Sequence, residues 1–248
     1  MRQEEAEIDP LAILIKKLKE HSRLKHEDLA EIRRLPYAVR GLDSNEDFIR
    51  QGDRPKESAI IVEGMVARYH LLPDGARQYL SFHLAGDMPD SQCLFIDEMD
   101  HAVCAIGAAK VATVPHRDLL ALFESRPKVG SAIWRETLID AAIFREAITN
   151  NSARSGPARM AHLFCELFYR SRASGLAQEY SCELPMTLVQ LGEALGLSLA
   201  STNRSLATIR EDNLADLKGG WLAIRRWTEL ADYAQFNPRY LHLRREPF

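Results

Sequence analysis

The spacing of hydrophobic residues along this chain changes twice. Between residues 10 and 35, leucines and isoleucines recur every three or four positions up to Pro36, which predicts helix. From Tyr37 to about Pro115, short alternating runs are separated by turn-forming clusters about 8 to 12 residues apart, a rhythm typical of an antiparallel sandwich or barrel. From Arg117 the helical spacing returns. The pattern therefore predicts an α+β protein.

The predicted helix over residues 128–154 carries too much hydrophobic surface for a single partner. Its apolar residues cover well over half of its circumference. It is either a central core helix or a helix that packs on its own sheet and on its twin in a homodimer, and we favour the second. Gly156-Pro157 then ends one helix and starts another. We expect a sensor unit over 1–127, this linking helix, and a C-terminal unit over 155–248.

The stretch "LVQLGEALGLSLASTNRSLATIRE" places two short apolar-periodic runs on either side of one tight joint. Thr187 is a candidate N-cap for the first helix, and Gly196 supplies the left-handed residue that ends it. Ser198 caps the second helix. Gly192 has no side chain at the crossing, so the two helices can approach closely. The joint is predicted to be a helix-turn-helix.

The N-terminal half of the second helix is expected to project into a DNA major groove about 12 Å wide. Arg204 can donate two hydrogen bonds to guanine, Asn203 can pair with adenine or a phosphate, and Ala200 suits a thymine methyl group. The exposed positions expected there are Leu199, Ala200, Ser201, Asn203 and Arg204, and the cap residues Thr187 and Ser198 are expected to contact DNA as well. Helix pairs with an intervening glycine also serve purely structural roles, so the joint alone does not establish DNA binding.

The residues that follow strengthen the DNA interpretation. "NLADLKGGWLAI" predicts two short strands around Lys218-Gly219-Gly220, a hairpin directly after the second helix and hence the wing of a winged helix. Lys218 at its tip is placed to contact a phosphate, although a turn lysine that only contacts water is the alternative.

Charge gives little support to nucleic-acid binding across the whole chain. The formal net charge is −3, and from Pro157 onward 11 Lys and Arg stand against 10 Asp and Glu. Any DNA contact must therefore come from the local placement of basic groups. No window of about 18 residues is apolar and uncharged, so we expect no membrane span and a cytoplasmic protein.

Cysteine and histidine spacing argues against a metal site. Cys93, Cys104, Cys165 and Cys182 lie far apart without a paired motif, and we expect buried thiols. His70 and His83 could face each other across two strands, but the His-x-His pair of a metal-binding barrel is missing. No nucleophile elbow or phosphate loop is present either. We predict no metal, no catalytic residue and no enzyme activity; a barrel enzyme with a fused helical domain is the rival.

The order of these features resembles the Crp/Fnr family of bacterial transcription regulators. The similarity rests on turns at Gly52-Asp53, Glu63-Gly64 and Gly86-Asp87, on the long linking helix, and on "LPMTLVQLGEALGLSLASTNRSL" with its wing; it covers roughly residues 20–226. The segments "WRETLIDAAIFREAI" and "RRWTELADYAQFNPRYLHL" resemble a subgroup common in rhizobia and related α-proteobacteria. The resemblance implies an N-terminal cyclic-nucleotide-binding-like β-roll, a long dimerisation helix and a C-terminal winged helix-turn-helix.

The resemblance also implies partners and contact residues. Members of the family bind double-stranded DNA as homodimers, and RNA polymerase is an expected further partner. The reading helix would begin at Ser198, with base contacts at Leu199, Ala200 and Arg204. Only Arg204 keeps the charged type of the best-known member, so the preferred operator should differ. Thr202 stands where an aliphatic residue is usual.

The effector pocket departs from the family pattern. Asp90 and Ser91 stand at the Gly-Glu position that holds the ribose of a cyclic nucleotide, and His101 and Ala102 at the Arg-Ser position that holds its phosphate. A phosphate would lose its arginine and face Asp90, so we do not expect cyclic AMP to bind.

Other known sensor groups are not expected either. Oxygen-sensing members use an N-terminal cysteine cluster, but this chain has no cysteine before Cys93. His83 or His101 could ligate haem, although a lone histidine in a roll is more often a core residue. We predict an altered effector pocket at His83, Asp90, Ser91 and His101, with no cofactor and an unknown small molecule or no ligand.

The function predicted from sequence is a sequence-specific DNA-binding regulator that acts as a homodimer on a near-palindromic operator, its effector pocket degenerate or altered. The alternative is a relative that has lost DNA binding and binds a small molecule or a partner protein. The near-neutral charge of the C-terminal third suggests that alternative.

Overall fold

The computed structural model describes residues 8–245 and residue 247. It contains eight helices: α1 (Pro10–His21), α2 (His26–Ile32), α3 (His116–Ser125), α4 (Pro127–Ala153), α5 (Gly156–Ala173), α6 (Leu188–Leu195), α7 (Leu199–Glu211) and α8 (Trp227–Ala234). Short 3-10 turns lie at Ser91–Leu94 and Pro238–Leu241. The strands are β1 (Ala38–Leu42), β2 (Asp47–Ile49), β3 (Glu57–Leu71), β4 (Arg77–Leu84), β5 (Ala102–Pro115), β6 (Ser181–Glu183), β7 (Ala215–Lys218) and β8 (Trp221–Ile224).

The N-terminal half is an antiparallel β-roll built on the two longest strands. The strand order is β1-β5-β3-β4, and β2 also pairs with β5. β3 and β4 form the predicted hairpin, whose turn closes with a hydrogen bond from Leu72 N to Ala76 O and places Gly75 at φ 85°. His83 pairs with Val66 and His70 pairs with Gln78. The two histidines therefore do not face each other, as the sequence had allowed, because the register sets them apart along the hairpin.

The two faces of this sheet have different partners. Alternate residues such as Ile61, Val66 and Val103 fill the inside of the roll. Residues of the opposite face, among them Phe82 and Ile106, belong to one hydrophobic cluster with the C-terminal helices. Successive side chains point to opposite faces, so the long buried runs of β3 and β5 belong to a sheet that is buried on both sides.

The N-terminal helical pattern is interrupted where the sequence predicted continuity to Pro36. α1 begins at the N-cap Asp9, which accepts a hydrogen bond from Leu11 N, and ends at Ser22. α2 begins only after Lys25, which has extended backbone geometry. Both helices keep their apolar stripe on the roll and on α4, so the period survives the break because both pieces pack on the same core.

The linking helix α4 is followed at once by α5, which starts at Gly156. The inner side of α4 buries residues such as Val129, Ile133, Ile139 and Ile143. The predicted boundaries at 127/128 and 154/155 fall next to the ends of this helix and stay predictions.

The C-terminal half is a winged helix-turn-helix in which β6, β8 and β7 form a small antiparallel sheet. The fold predicted from sequence, a β-roll, a long helix and a winged helix-turn-helix, is confirmed. The last segment completes it. α8 packs on α5, and the 3-10 turn after it places Leu241 beside Ile139 and Ile143 of α4.

The segment that follows β8 contacts α5, α4 and α1 over the residues that the structure describes, the last through a hydrogen bond from Arg244 N to Glu20 O. In the described part of the chain, no helix is long and apolar enough to cross a membrane.

Candidate nucleic-acid interface

The joint between α6 and α7 is held by local interactions. Thr187 is the N-cap of α6, and its Oγ1 accepts Gln190 N at 3.2 Å while Gln190 Oε1 accepts Thr187 N at 2.8 Å. Gly196 ends α6 at φ 64°. Ser198 then caps α7 by accepting Ser201 N at 3.3 Å. These three local predictions are confirmed.

Gly192 explains the closeness of the two helices. A Cβ at this position would lie 2.7 Å from Leu197 O and 2.9 Å from Thr202 Oγ1. Real Cβ atoms essentially never approach backbone oxygens so closely, so any side chain would push α7 away from α6. Thr202, placed on the inner face by the sequence, is fully buried.

The N-terminal half of α7 presents an open face. The structure leaves Leu199, Ala200, Asn203 and Arg204 exposed and Ser201 partly exposed. Leu199 is 52% exposed although it is apolar. Arg204 donates to Ser201 Oγ at 2.9 Å, and this bond aims the guanidinium along the same face. These side chains form one surface that fits the major groove; their base contacts stay predictions.

The wing follows α7 as expected. β7 and β8 pair through Lys218 and Trp221, and Gly219 and Gly220 make the turn at φ 59° and 79°. Lys218 is exposed at the tip.

Sequence reasoning missed Arg210 on α7, which fixes the wing to the reading helix. Its Nη2 donates to Leu217 O at 2.6 Å, and the guanidinium also pairs with Asp216. An arginine eight residues before the hairpin turn was the available signal, but nothing in a single sequence distinguishes it from an exposed arginine.

The predicted effector region contains a buried arginine that sequence reasoning also missed. Arg68 on β3 is 5% exposed. Its Nε donates to Pro89 O at 2.7 Å, and its Nη1 lies 3.0 Å from Asp140 Oδ2 on the linking helix. The guanidinium also stands over the Phe144 ring, 5.9 Å from its centroid. The available signal was one arginine inside the apolar run of a buried strand. Arg68 thus joins the roll to α4.

Asp90 and Ser91 follow Pro89, which binds this arginine, but they line two separate cavities. Both carboxylate oxygens of Asp90 accept Ala59 N, at 2.9 and 3.0 Å. Burial raises the pKa of Asp90 to about 7. Asp90 lines a cavity of about 380 Å³ next to β1 and β2, whereas Ser91 lines one of about 290 Å³ against α4. The sequence predicted that the Asp90 carboxylate would oppose a ligand phosphate. In the structure this carboxyl is instead bonded to the backbone of β3.

The two histidines of the predicted pocket are engaged within the roll. His83 Nε2 lies 2.9 Å from Ser81 Oγ, and His101 Nδ1 lies 2.6 Å from Asp100 Oδ1. Burial, followed by the positive charge of Arg68, lowers the pKa of both imidazoles. Both rings are therefore neutral near pH 7.

Cysteines and metal ligands add no further chemistry within the described residues. All four cysteines are buried free thiols, as expected, and burial raises the pKa of each. In the part of the chain that the structure describes, no group of three or more His, Cys, Asp or Glu side chains is arranged to hold a metal ion.

A chain of buried charges connects the two halves of the molecule. Asp87, in the turn after β4, lies 3.2 Å from Lys17 on α1 and 3.0 Å from Arg170 on α5. Arg170 also lies 3.3 Å from Glu166, which accepts a hydrogen bond from Tyr240 in the last segment. Burial alone would raise the pKa of Asp87, but the two cations hold it well below its usual range. We call this set of five the junction.

Two family models match the chain along these same boundaries. The cyclic nucleotide-binding domain matches residues 39–126 and the Crp-like helix-turn-helix domain matches residues 158–233.

Relatives of similar length are bacterial regulators. The chain is 23% identical to the fumarate and nitrate reduction regulatory protein of Vibrio cholerae, over 85% of this chain and 84% of that protein. It is 26% identical to electron transport regulator A of Shewanella oneidensis, over 74% and 73%. These relatives are named as regulators, not as enzymes.

Solved structures share the fold. FixK2 of Bradyrhizobium japonicum superposes with a TM-score of 0.71 at 23% identity, covering 80% of this chain and 98% of that one. A Crp-family transcriptional regulator of Thermus thermophilus gives 0.64 at 17% identity, covering 79% and 97%. The fold, the two domain matches and the open face of α7 define a two-domain DNA-binding transcription regulator. The chain belongs to the Crp/Fnr family.

Proposed function

We propose that this regulator acts as a homodimer that reads a near-palindromic operator through the N-terminal half of α7. The observation that carries the proposal is the exposed set on α7, which includes Arg204, together with Lys218 on the adjoining wing. Arginine paired to guanine O6 and N7 is the commonest specific contact in the major groove. Such a regulator works where the chromosome is, in the cytoplasm, and RNA polymerase is its expected protein partner.

An unpartnered apolar stripe on α4 supports the homodimer. Trp134 is 55% exposed, Leu138 53% and Ile148 70%. They lie on one side of the helix, opposite the residues that face the roll, and Phe95 (63% exposed) extends the stripe by packing edge-on against Trp134. A second copy of the same helix would bury this stripe by two-fold symmetry.

Two-fold symmetry then sets the spacing of the operator. Paired reading helices contact half-sites about 34 Å apart, or about 10 base pairs from centre to centre. The half-sites are inverted repeats because the two helices are related by the same axis.

We also propose that the part of the roll that corresponds to the family's cyclic-nucleotide site stabilises the fold and does not bind a ligand. The contacts of Arg68 with Asp140 and Phe144 support this, because they tie the roll to α4 from within the region that a ligand would enter.

The proposal is tested by selecting bound duplexes from a random pool and sequencing them, for the wild type, Arg204→Ala and Lys218→Ala. We expect an inverted repeat. Arg204→Ala should relax one position of each half-site at a cost of about 1–3 kcal/mol, whereas Lys218→Ala should weaken all sequences alike and reduce the salt slope by about one. Selection of no sequence by the wild type, or the same loss in both variants, would contradict the proposal.

The dimer has its own test. Trp134→Ser with Leu138→Ser should give a monomer in sedimentation equilibrium. The matched control changes two apolar residues of similar exposure on the roll, Val39→Ser and Leu71→Ser (50% and 60% exposed), and should leave the mass unchanged. A monomeric wild type would refute the proposed symmetry.

A further inference from the structure

A groove outside the DNA-binding surface is lined by several positively charged side chains. It lies where the end of α1, the end of α5 and the last described residues meet, and it encloses about 540 Å³. Its basic lining residues are Lys16, Lys19, Arg23, Arg172, Arg244 and Arg245. We call it the basic groove. Its volume is in the range of small-molecule sites.

Several cations of this groove have no acidic partner among the described residues. The ion pairs within 4.0 Å in that part of the chain include Lys17 but not Lys16, Lys19 or Arg23. The Arg244 guanidinium donates to a backbone oxygen, Ser22 O at 3.2 Å. The one acidic residue among the described lining is Glu20, whose carboxylate already accepts from Lys17 and Ser174.

A second cavity of about 430 Å³ continues the positive charge around Arg23 and Arg244. It adds Lys128 and Arg135 from the start of α4 and has no acidic lining residue in the described chain. The guanidinium of Arg135 donates to His21 O at 3.2 Å, and it forms no ion pair within 4.0 Å among the described residues.

Helix ends do not balance this charge. The C-termini of α1 and α5 each contribute a partial charge of about −0.5, or about one negative charge together. Of the cations that line the first cavity, Lys16, Lys19, Arg23 and Arg244 have no ion pair among the described residues. Close like charges repel, so an anion with several charges is favoured at this place.

The groove lies far from the DNA-reading helix. Gly156, at the start of α5, adjoins Ser205 of α7, whereas Arg172 is near the other end of α5, about 24 Å away at 1.5 Å per residue. Duplex held by α7 therefore does not reach the groove without bending strongly around the protein. This separation favours a small molecule over operator DNA.

We propose that the basic groove binds a multiply phosphorylated small molecule such as a nucleoside polyphosphate. Guanidinium and ammonium groups are the usual partners of phosphate oxygens. A ligand there would bridge α1 of the sensor half to α5 and the last segment of the DNA-binding half. Its binding does not depend on the proposed homodimer or operator.

The test measures binding of inorganic tripolyphosphate and of ATP, without magnesium, by titration calorimetry at about 50 mM and about 300 mM salt. The variant Lys19→Gln/Arg23→Gln/Lys128→Gln removes three exposed cations that make no described side-chain bond. The matched control Arg33→Gln/Arg50→Gln/Lys56→Gln removes three exposed cations elsewhere. Circular dichroism checks that both variants are folded.

We expect one polyphosphate per chain, an affinity about tenfold lower in the groove variant, and no change in the control. Absence of binding at low salt, or an equal loss in the control, would overturn the proposal. The proposal would also be overturned if the groove variant no longer bound random duplex DNA and the wild type bound no polyphosphate. The groove would then contact a DNA backbone. Arg204→Ala should still bind polyphosphate, which separates this result from any failure of the DNA proposal.

Discussion

The DNA-reading joint and the junction are built in opposite ways. The joint uses residues between Thr187 and Lys218, and the capping and wing bonds that shape it join residues at most seven positions apart. The junction brings together Lys17, Asp87, Arg170 and Tyr240, which come from four separate parts of the chain. The joint presents the DNA-reading helix. The junction determines where the joint lies relative to the β-roll.

This contrast predicts that mutations in the junction and in the joint reduce different properties of the protein. Damage to the junction should cost stability, since buried charges lose their partners far from the DNA surface. Damage to the joint should cost DNA binding first, because α7 moves while the core around the junction persists. Three substitutions test the difference, and a fourth, Asp90→Asn, tests a buried charge of the roll that lies outside both regions.

Arg170→Met should have the largest effect. It leaves the buried carboxylates of Asp87 and Glu166 without their shared cation, and removing one partner of a buried pair costs about 3–5 kcal/mol. Urea denaturation measures the free energy of unfolding. The exposed pair of Arg34 and Glu31 is the control, and Arg34→Met should cost less than about 1 kcal/mol. Equal losses would mean that the junction contributes no more than a surface pair.

Asp90→Asn tests buried charge through its pH dependence. The carboxyl has a pKa of about 7 in the folded protein against an ordinary value of 3.8. Between these values the folded protein keeps a proton that the unfolded chain has released, so this group lowers the unfolding free energy as the pH rises, and the effect levels off above pH 7.

The asparagine variant should therefore gain stability relative to the wild type as the pH increases from about 4 to about 7, by at most about 4 kcal/mol. Denaturation curves at several pH values measure this difference. A difference that is constant with pH would show that Asp90 ionises normally.

Gly192→Ala should separate binding from stability. The new methyl group collides with Leu197 O and Thr202 Oγ1, so we expect a loss of about 1–3 kcal/mol and a larger loss of operator affinity. Gly41→Ala is the control because a Cβ added there would have no heavy atom within 4 Å, and the φ of Gly41 is not positive. Gel-shift titration and denaturation are done on both. Intact DNA binding by Gly192→Ala would show that the crossing tolerates a wider angle.

Ser198→Ala should give the smallest effect. It removes the N-cap bond to Ser201 N, at a cost of about 1 kcal/mol. The start of α7 should fray, and amide hydrogen exchange at residues 199–202 should become faster while exchange in β3 is unchanged. Faster exchange in both would place the cap within the global folding unit rather than in the joint.

The same contrast explains what the sequence revealed. Gly196, Ser198 and the Lys218 turn have local causes in cap and turn chemistry, so they were predicted correctly. Arg68 and its link to Asp140 depend on how β3 meets α4, seventy-two positions along the chain, and periodicity carries no information on that pairing. The break after α1 was missed since both helices present the same stripe to one core.

The hydrophobic cluster that runs from the roll sheet into α5, α6 and β8 also affects how the protein evolves. Families with detachable reading domains can exchange them by recombination at a linker. Here a transplanted winged helix would arrive without the surface that matches Phe82 and Ile106, and a transplanted roll would leave Phe164 and Leu222 facing water. New specificities are therefore easier to reach by point changes on α7 than by exchange of whole domains.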